Sequence, residues 1–104
     1  MAGRVPEVRI ERAAEKNLKR MGPGPERNRV VAGLRRLVQD APNLDVKPIA
    51  AAPEWFRLCI GDYRVCYYRA QRNGPSGPVT IYAVERIVPR GAFDAVAASL
   101  PEQR

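Results

Sequence analysis

The stretch "EWFRLCIGDYRVCYY", residues 54 to 68, decides the fold. At its centre Gly61-Asp62 puts glycine first in a two-residue turn, the pattern of a type II′ β-hairpin, whose first turn position needs a positive φ. A two-residue turn fixes the register. Ile60 then opposes Tyr63, Cys59 opposes Arg64, Leu58 opposes Val65, Arg57 opposes Cys66, Phe56 opposes Tyr67 and Trp55 opposes Tyr68. Because side chains alternate along a strand, Phe56, Leu58, Ile60, Tyr63, Val65 and Tyr67 share one apolar face, which is core. The opposite face carries Trp55, Arg57, Cys59, Arg64, Cys66 and Tyr68. Arg57 and Arg64 are therefore diagonal neighbours on a basic surface edged by aromatic rings.

Outward from the hairpin, the rest of the chain supplies two helices, two more strands and a short closing helix. Pro6 suits the beginning of a strand over residues 6–11, rich in branched side chains. Ala14, Leu18 and Met21 then form one apolar stripe on a short helix that "GPGP", 22 to 25, terminates. Pro25 opens a second helix over 25–40, in which Val30, Leu34, Leu37, Val38 and Ala41 repeat at helical spacing up to Pro42. Its other face, with Arg27, Arg29, Arg35, Arg36 and Asp40, reads as a solvated surface. "APNLDVKPIAAAPEW" reads as a proline-rich loop into the hairpin, and "NGPSGP", 73 to 78, as the loop after it. "VTIYAVERIV", 79 to 88, is a strand, and Phe93, Val96, Ala97 and Leu100 mark a short closing helix. The order β-α-α-β-β-β with a short C-terminal helix predicts an α+β domain. Its sheet is antiparallel, with two helices on one face and the other face open.

The 104 residues fit one domain, 1–104, and 45% hydrophobic with 28% charged residues is ordinary for a folded chain. Eighteen Lys and Arg against eleven Asp and Glu give a net charge of +7, which points to anionic partners such as nucleic acid or an acidic protein. No apolar run is long enough to cross a membrane and the N-terminus lacks a signal-peptide core, so a cytoplasmic protein without a membrane partner is expected. Cys59 and Cys66 lack metal-site spacing and the chain has no histidine, so neither a metal nor another cofactor is expected. Acid–base chemistry would fall to groups other than imidazole.

The segments "VRIERAAEKNLKRM", "RVVAGLRRL", "DVKPIAAAPEWFRLCIGDYRVCYY" and "VTIYAVERIVPRGAFD" together resemble the RelE/ParE superfamily of toxins from type II toxin–antitoxin systems, over roughly residues 5–96. Trp-x-Arg-x-x-x-Gly-Asp-Tyr-Arg-Val-x-Tyr is the most specific element, supported by Lys47-Pro48 and the late Val-x-Ile-x-x-Val strand. The resemblance implies a small basic toxin neutralised by an acidic cognate antitoxin. RelE-like members act at the ribosome and cleave mRNA, whereas ParE-like members inhibit DNA gyrase, and a shared fold does not choose between them. For the nuclease, the resemblance implies catalytic roles for Arg57, Arg64 and Arg86, with Lys47, Trp55, Tyr68 and Arg90 binding substrate. Either Arg86 or Arg90 supplies the late basic position. Two positions depart from the pattern: Cys59 stands where some nucleases carry lysine, and Phe93 where many carry tyrosine. With no obvious acid or base, Tyr68, Tyr82 and Glu85 are the substitutes.

Each of these residues also has a plainer explanation. Arg57 and Arg64 would cover sheet surface with their stems and keep their heads in water. Trp55 and Tyr68 would be a cross-strand aromatic pair rather than a platform for bases. Cys59 and Cys66 would be reduced, half-buried thiols, and Phe93 a core residue of the last helix. A third functional class also follows, a toxin with weakened chemistry that serves mainly in an antitoxin–operator complex.

Overall fold

A computed structural model describes residues 6–39 and 41–102. Strand β1 (Glu7–Ile10) leads into helices α1 (Arg12–Met21) and α2 (Pro25–Val38). Strands β2 (Val46–Pro48), β3 (Trp55–Ile60), β4 (Tyr63–Gly74) and β5 (Gly77–Pro89) follow, and a 3-10 turn at Arg90–Ala92 leads into α3 (Phe93–Ala98). Asp40, placed by its sequence on the solvated face of the second helix, lies outside the described residues.

The strands form one sheet in the order β1-β5-β4-β3-β2. All six pairs expected across the Gly61 turn are present, from Trp55 with Tyr68 to Ile60 with Tyr63. Gly61 has φ 56° and Asp62 is not among the residues of positive φ, as a type II′ turn requires. Leu58, Ile60, Val65 and Tyr67 are buried with Ala14, Val30, Leu34, Leu37, Val84 and Ile87 in the principal core, and Phe56 and Tyr63 pack against it. α2 comes close to β3 at Gly33, where an added Cβ would stand 2.8 Å from Ile60 Cγ1. Each fully buried side chain here contributes about 1.5–3 kcal/mol relative to exposure.

The sheet departs from expectation in four ways. It is mixed rather than antiparallel, because β1 runs parallel to β5; the chain enters β2 at the far edge antiparallel to β1, and three successive reversals bring β5 back in the direction of β1. The segment taken as one proline-rich loop contains β2, in which Val46, Lys47 and Pro48 pair with Leu58, Arg57 and Phe56. An edge strand tolerates Pro48, which has no ladder donor to lose there. The loop at 73–78 is shorter than expected, because pairing continues to Gly74 with Gly77 and leaves Pro75-Ser76 as the turn. Finally, the second face is not wholly open. α3 and residues 49–52 cover part of it with a second cluster of Ile49, Ala52, Trp55, Cys66, Val88, Val96 and Ala97.

Candidate functional site

The sheet face turned away from α1 and α2 is organised around Cys66. This residue lies opposite Arg57 on β3 and opposite Arg86 on β5, and Arg64 precedes it by two on β4. Strands spaced about 4.8 Å apart put the Arg57 and Arg86 backbones roughly 10 Å from each other. Arg64 is diagonal to both, at about 7–8 Å. Lys47, exposed on β2, continues the row beyond Arg57.

Arg86 owes its place to a β-bulge. The register slips between Cys66, paired with Arg86, and Tyr67, paired with Val84, so Glu85 is an extra residue in β5. Val84 and Ile87 both enter the principal core although three positions separate them. Simple alternation from Val84 would have sent Arg86 toward the helices; the inserted Glu85 turns it to the far face.

The polar contacts hold these cations without neutralising them all. Arg57, 18% exposed, donates from Nη1 to Cys59 Sγ and holds Nη2 3.7 Å from Asp45 Oδ1. Arg64 Nη1 donates to the carbonyls of Gly61 (3.0 Å) and Tyr63 (3.1 Å), which fixes its fork beside the turn. Among the described residues neither Arg64 nor Arg86 has an ion-pair partner. Arg86 Nε is buried without a hydrogen-bond acceptor, a deficit of about 1–3 kcal/mol that a bound anion would relieve. Arg90 lies at the rim, its Nε 3.9 Å from Asp62 Oδ1 with both side chains largely exposed.

Both thiols are held protonated. Burial pushes the Cys66 thiol up to about 11, against a small opposing pull from Arg86. Burial also raises Cys59, although Arg57 and Arg64 both favour its thiolate. That the two arginines act on one thiol agrees with their common face. Neither sulfur is poised as a nucleophile.

Trp55 is placed differently from the base-stacking expectation. It is 1% exposed, and its indole Nε1 donates to the Pro101 carbonyl at 2.7 Å. Tyr68 meets it edge-on at 5.0 Å and accepts a hydrogen bond from Arg9 Nη2 at 3.2 Å. The pair is thus cross-strand packing closed over by the C-terminal segment, with no Trp55 surface left for a base. Phe93 packs against the same second cluster.

Of the substitutes for acid and base, Tyr68 and Glu85 remain on the arginine face. Burial, and secondarily the charge of Glu11, raise the Glu85 pKa, and Arg86 pulls it back. Tyr82 is on the helix side: it pairs with Arg69 and meets the buried Tyr67 edge-on at 5.6 Å. It is therefore removed from Arg57, Arg64 and Arg86. Sequence reasoning missed that Cys66 is the hub of the arginines; the bulge that makes it so was signalled by the break in alternation across Val84–Ile87.

No protein-family model matches this chain, and no curated protein matches it. Among the solved structures, one chain of the RelB-RelE antitoxin-toxin complex from Methanococcus jannaschii is similar at 21% sequence identity and a TM-score of 0.56. The likeness covers 84% of this chain and 95% of that chain. In its fold, then, this α+β chain with a five-stranded sheet and three helices is similar to a RelE-like structure.

Proposed function

We propose that this chain is the toxin of a toxin–antitoxin pair, and that it is a ribosome-dependent mRNA endonuclease of RelE type. The carrying observation is the arrangement of Arg57, Arg64 and Arg86 around the neutral Cys66, with no ion pair on Arg64 or Arg86 among the described residues. Cleavage by a neighbouring 2′-hydroxyl builds negative charge on the phosphate, and cations fixed beforehand stabilise that charge without reorganising. Guanidinium forks suit two phosphate oxygens at once. Lys47 and Arg90 would hold the flanking backbone. Glu85, beside Arg86 and with a raised pKa, takes the 2′-hydroxyl proton as the 2′-oxygen bonds to phosphorus; the P–O5′ bond breaks, leaving a 2′,3′-cyclic phosphate, and the departing 5′-oxygen takes a proton from water. The same basic surface would accept an acidic antitoxin.

A purified translation system with primer extension on a defined message tests this. Cuts that depend on ribosomes are expected, and Arg64→Ala should slow them by roughly 10²–10³, as loss of one fixed donor does elsewhere. Uncut message at saturating protein would remove the nuclease reading.

The second reading, a ParE-type inhibitor of DNA gyrase, is favoured by Phe93, which packs into the second cluster and has no hydroxyl to donate. Supercoiling by purified gyrase that proceeds undisturbed in the presence of the chain argues against it.

A further inference from the structure

The helix-side face of the sheet carries a second organised cluster, on the opposite side from the arginines around Cys66. Phe56 and Tyr67 stack with centroids 5.6 Å apart at 22°, and Tyr82 meets Tyr67 at 80°. Arg69 lies with its guanidinium carbon 4.4 Å from the Phe56 ring centroid, and it pairs across the ladder with Tyr82. A cavity of about 270 Å³ opens here, with Asn43, Leu44, Tyr67, Arg69 and Tyr82 among its walls. Asn43 has φ 66°, a left-handed conformation that asparagine tolerates better than most residues, and this turns the loop after α2 alongside the rings.

Three features separate this cluster from ordinary core. Arg69 is exposed and, among the described residues, has no ion-pair partner. Its guanidinium carbon already sits over the Phe56 ring, so less side-chain freedom remains to be lost on binding. The cavity is also small. At about 270 Å³ it has room for a planar ring system.

We propose that this cavity is a nucleobase site for single-stranded RNA. A base stacks between Arg69 and the Tyr82 ring, the Asn43 amide meets its polar edge, and Arg69 attracts the adjoining phosphate. Aromatic and guanidinium planes are the platforms on which proteins stack unpaired bases. An acidic peptide would satisfy Arg69 but make no use of the Tyr82 and Asn43 wall. The inference rests on the RNA-directed reading above and extends it to a contact remote from the cleavage centre.

The test is fluorescence anisotropy of a fluorescein-labelled seven-nucleotide RNA with the full chain and with Arg69→Ala, Arg69→Lys and Tyr82→Ala, each checked for folding by thermal melting. Each variant should bind about 5- to 150-fold more weakly, the factor corresponding to roughly 1–3 kcal/mol per stacked base. Arg69→Lys keeps the charge and should still lose affinity, and 4-thiouridine in the RNA should crosslink to Tyr82. Affinity unchanged in the Arg69 variants would overturn the proposal, as would an RNA that does not bind the wild type. Loss of binding to a poly-glutamate peptide with RNA affinity intact would overturn it too, and would assign the site to a protein. If wild type leaves ribosomal message uncut while the Arg69 effect on RNA persists, the nuclease reading fails and this site stands. If cutting is seen and the Arg69 variants bind RNA normally, only this site fails.

Discussion

Trp55→Phe separates the two roles that the aromatic edge of the hairpin allows. Trp55 is 1% exposed and its indole donates to the Pro101 carbonyl at 2.7 Å. Phenylalanine removes that bond, worth about 0.5–1.5 kcal/mol. It also empties the volume of the second ring. Complete truncation of a buried Trp costs about 3–5 kcal/mol, and losing one ring is a fraction of that. The sum is about 2 kcal/mol, large against a domain stability of about 5–15 kcal/mol. At about 4–8 °C per kcal/mol for a domain near this size, the melting temperature should fall by about 8–16 °C. Because the chain has a single tryptophan, its fluorescence reports the same region. Wild type should emit as a shielded indole that acrylamide quenches poorly until α3 detaches. RNA affinity, measured well below the melting temperature, should be unchanged. A melting temperature lowered by less than about 3 °C, together with weakened RNA binding, would refute the reasoning, since an exposed ring changed to Phe costs only about 0.5 kcal/mol.

Further outcomes follow from the core and from the titrating groups. Gly33→Ala places a methyl against Ile60 and should cost up to about 2 kcal/mol in urea unfolding, overpacking of about 1–3 kcal/mol being offset by about 1 kcal/mol of helix propensity; Ile60→Val in the same chain should recover part of it. Glu85 holds its proton to a higher pH when folded than when unfolded, so ionising it costs stability as pH rises through the shifted value. Glu85→Gln should therefore be more stable than wild type at pH 7, with the gap closing in acid below the ordinary carboxylate range. The same variant should lose message cleavage if Glu85 takes the 2′-hydroxyl proton. Iodoacetamide at pH 8, followed by mass spectrometry, should label Cys59 before Cys66, whose thiol is buried and shifted to about 11. Equal rates at both would show that the second cluster opens readily.

The hairpin was legible because it depends on local facts. Gly61-Asp62 sets the turn, alternation sets the faces, and both act within fifteen residues. The helices were legible from their apolar spacing and from Pro25. β2 was not, since three residues around Pro48 make a strand only because β3 offers them an edge. The parallel pairing of β1 depends on β5 meeting it from the other end of the chain, which sequence patterning does not encode locally. For the site, the shared face of Arg57 and Arg64 could be read from register alone. The burial of Trp55 could not, because it depends on a carbonyl 46 positions away in the chain.

The extra residue in β5 has a consequence for how variation can reach the arginine cluster. Which way Arg86 points is set by counting positions along the strand, not by what residue 85 is. Substitutions at 85 change local chemistry but preserve that count, and deleting the residue would make Val84 and Arg86 consecutive, so that plain alternation still sends them to opposite faces. Random point mutagenesis, and even a single-codon deletion at 85, would therefore leave the facing of the three cations unchanged; what the deletion removes is the carboxylate and the local bend of the strand.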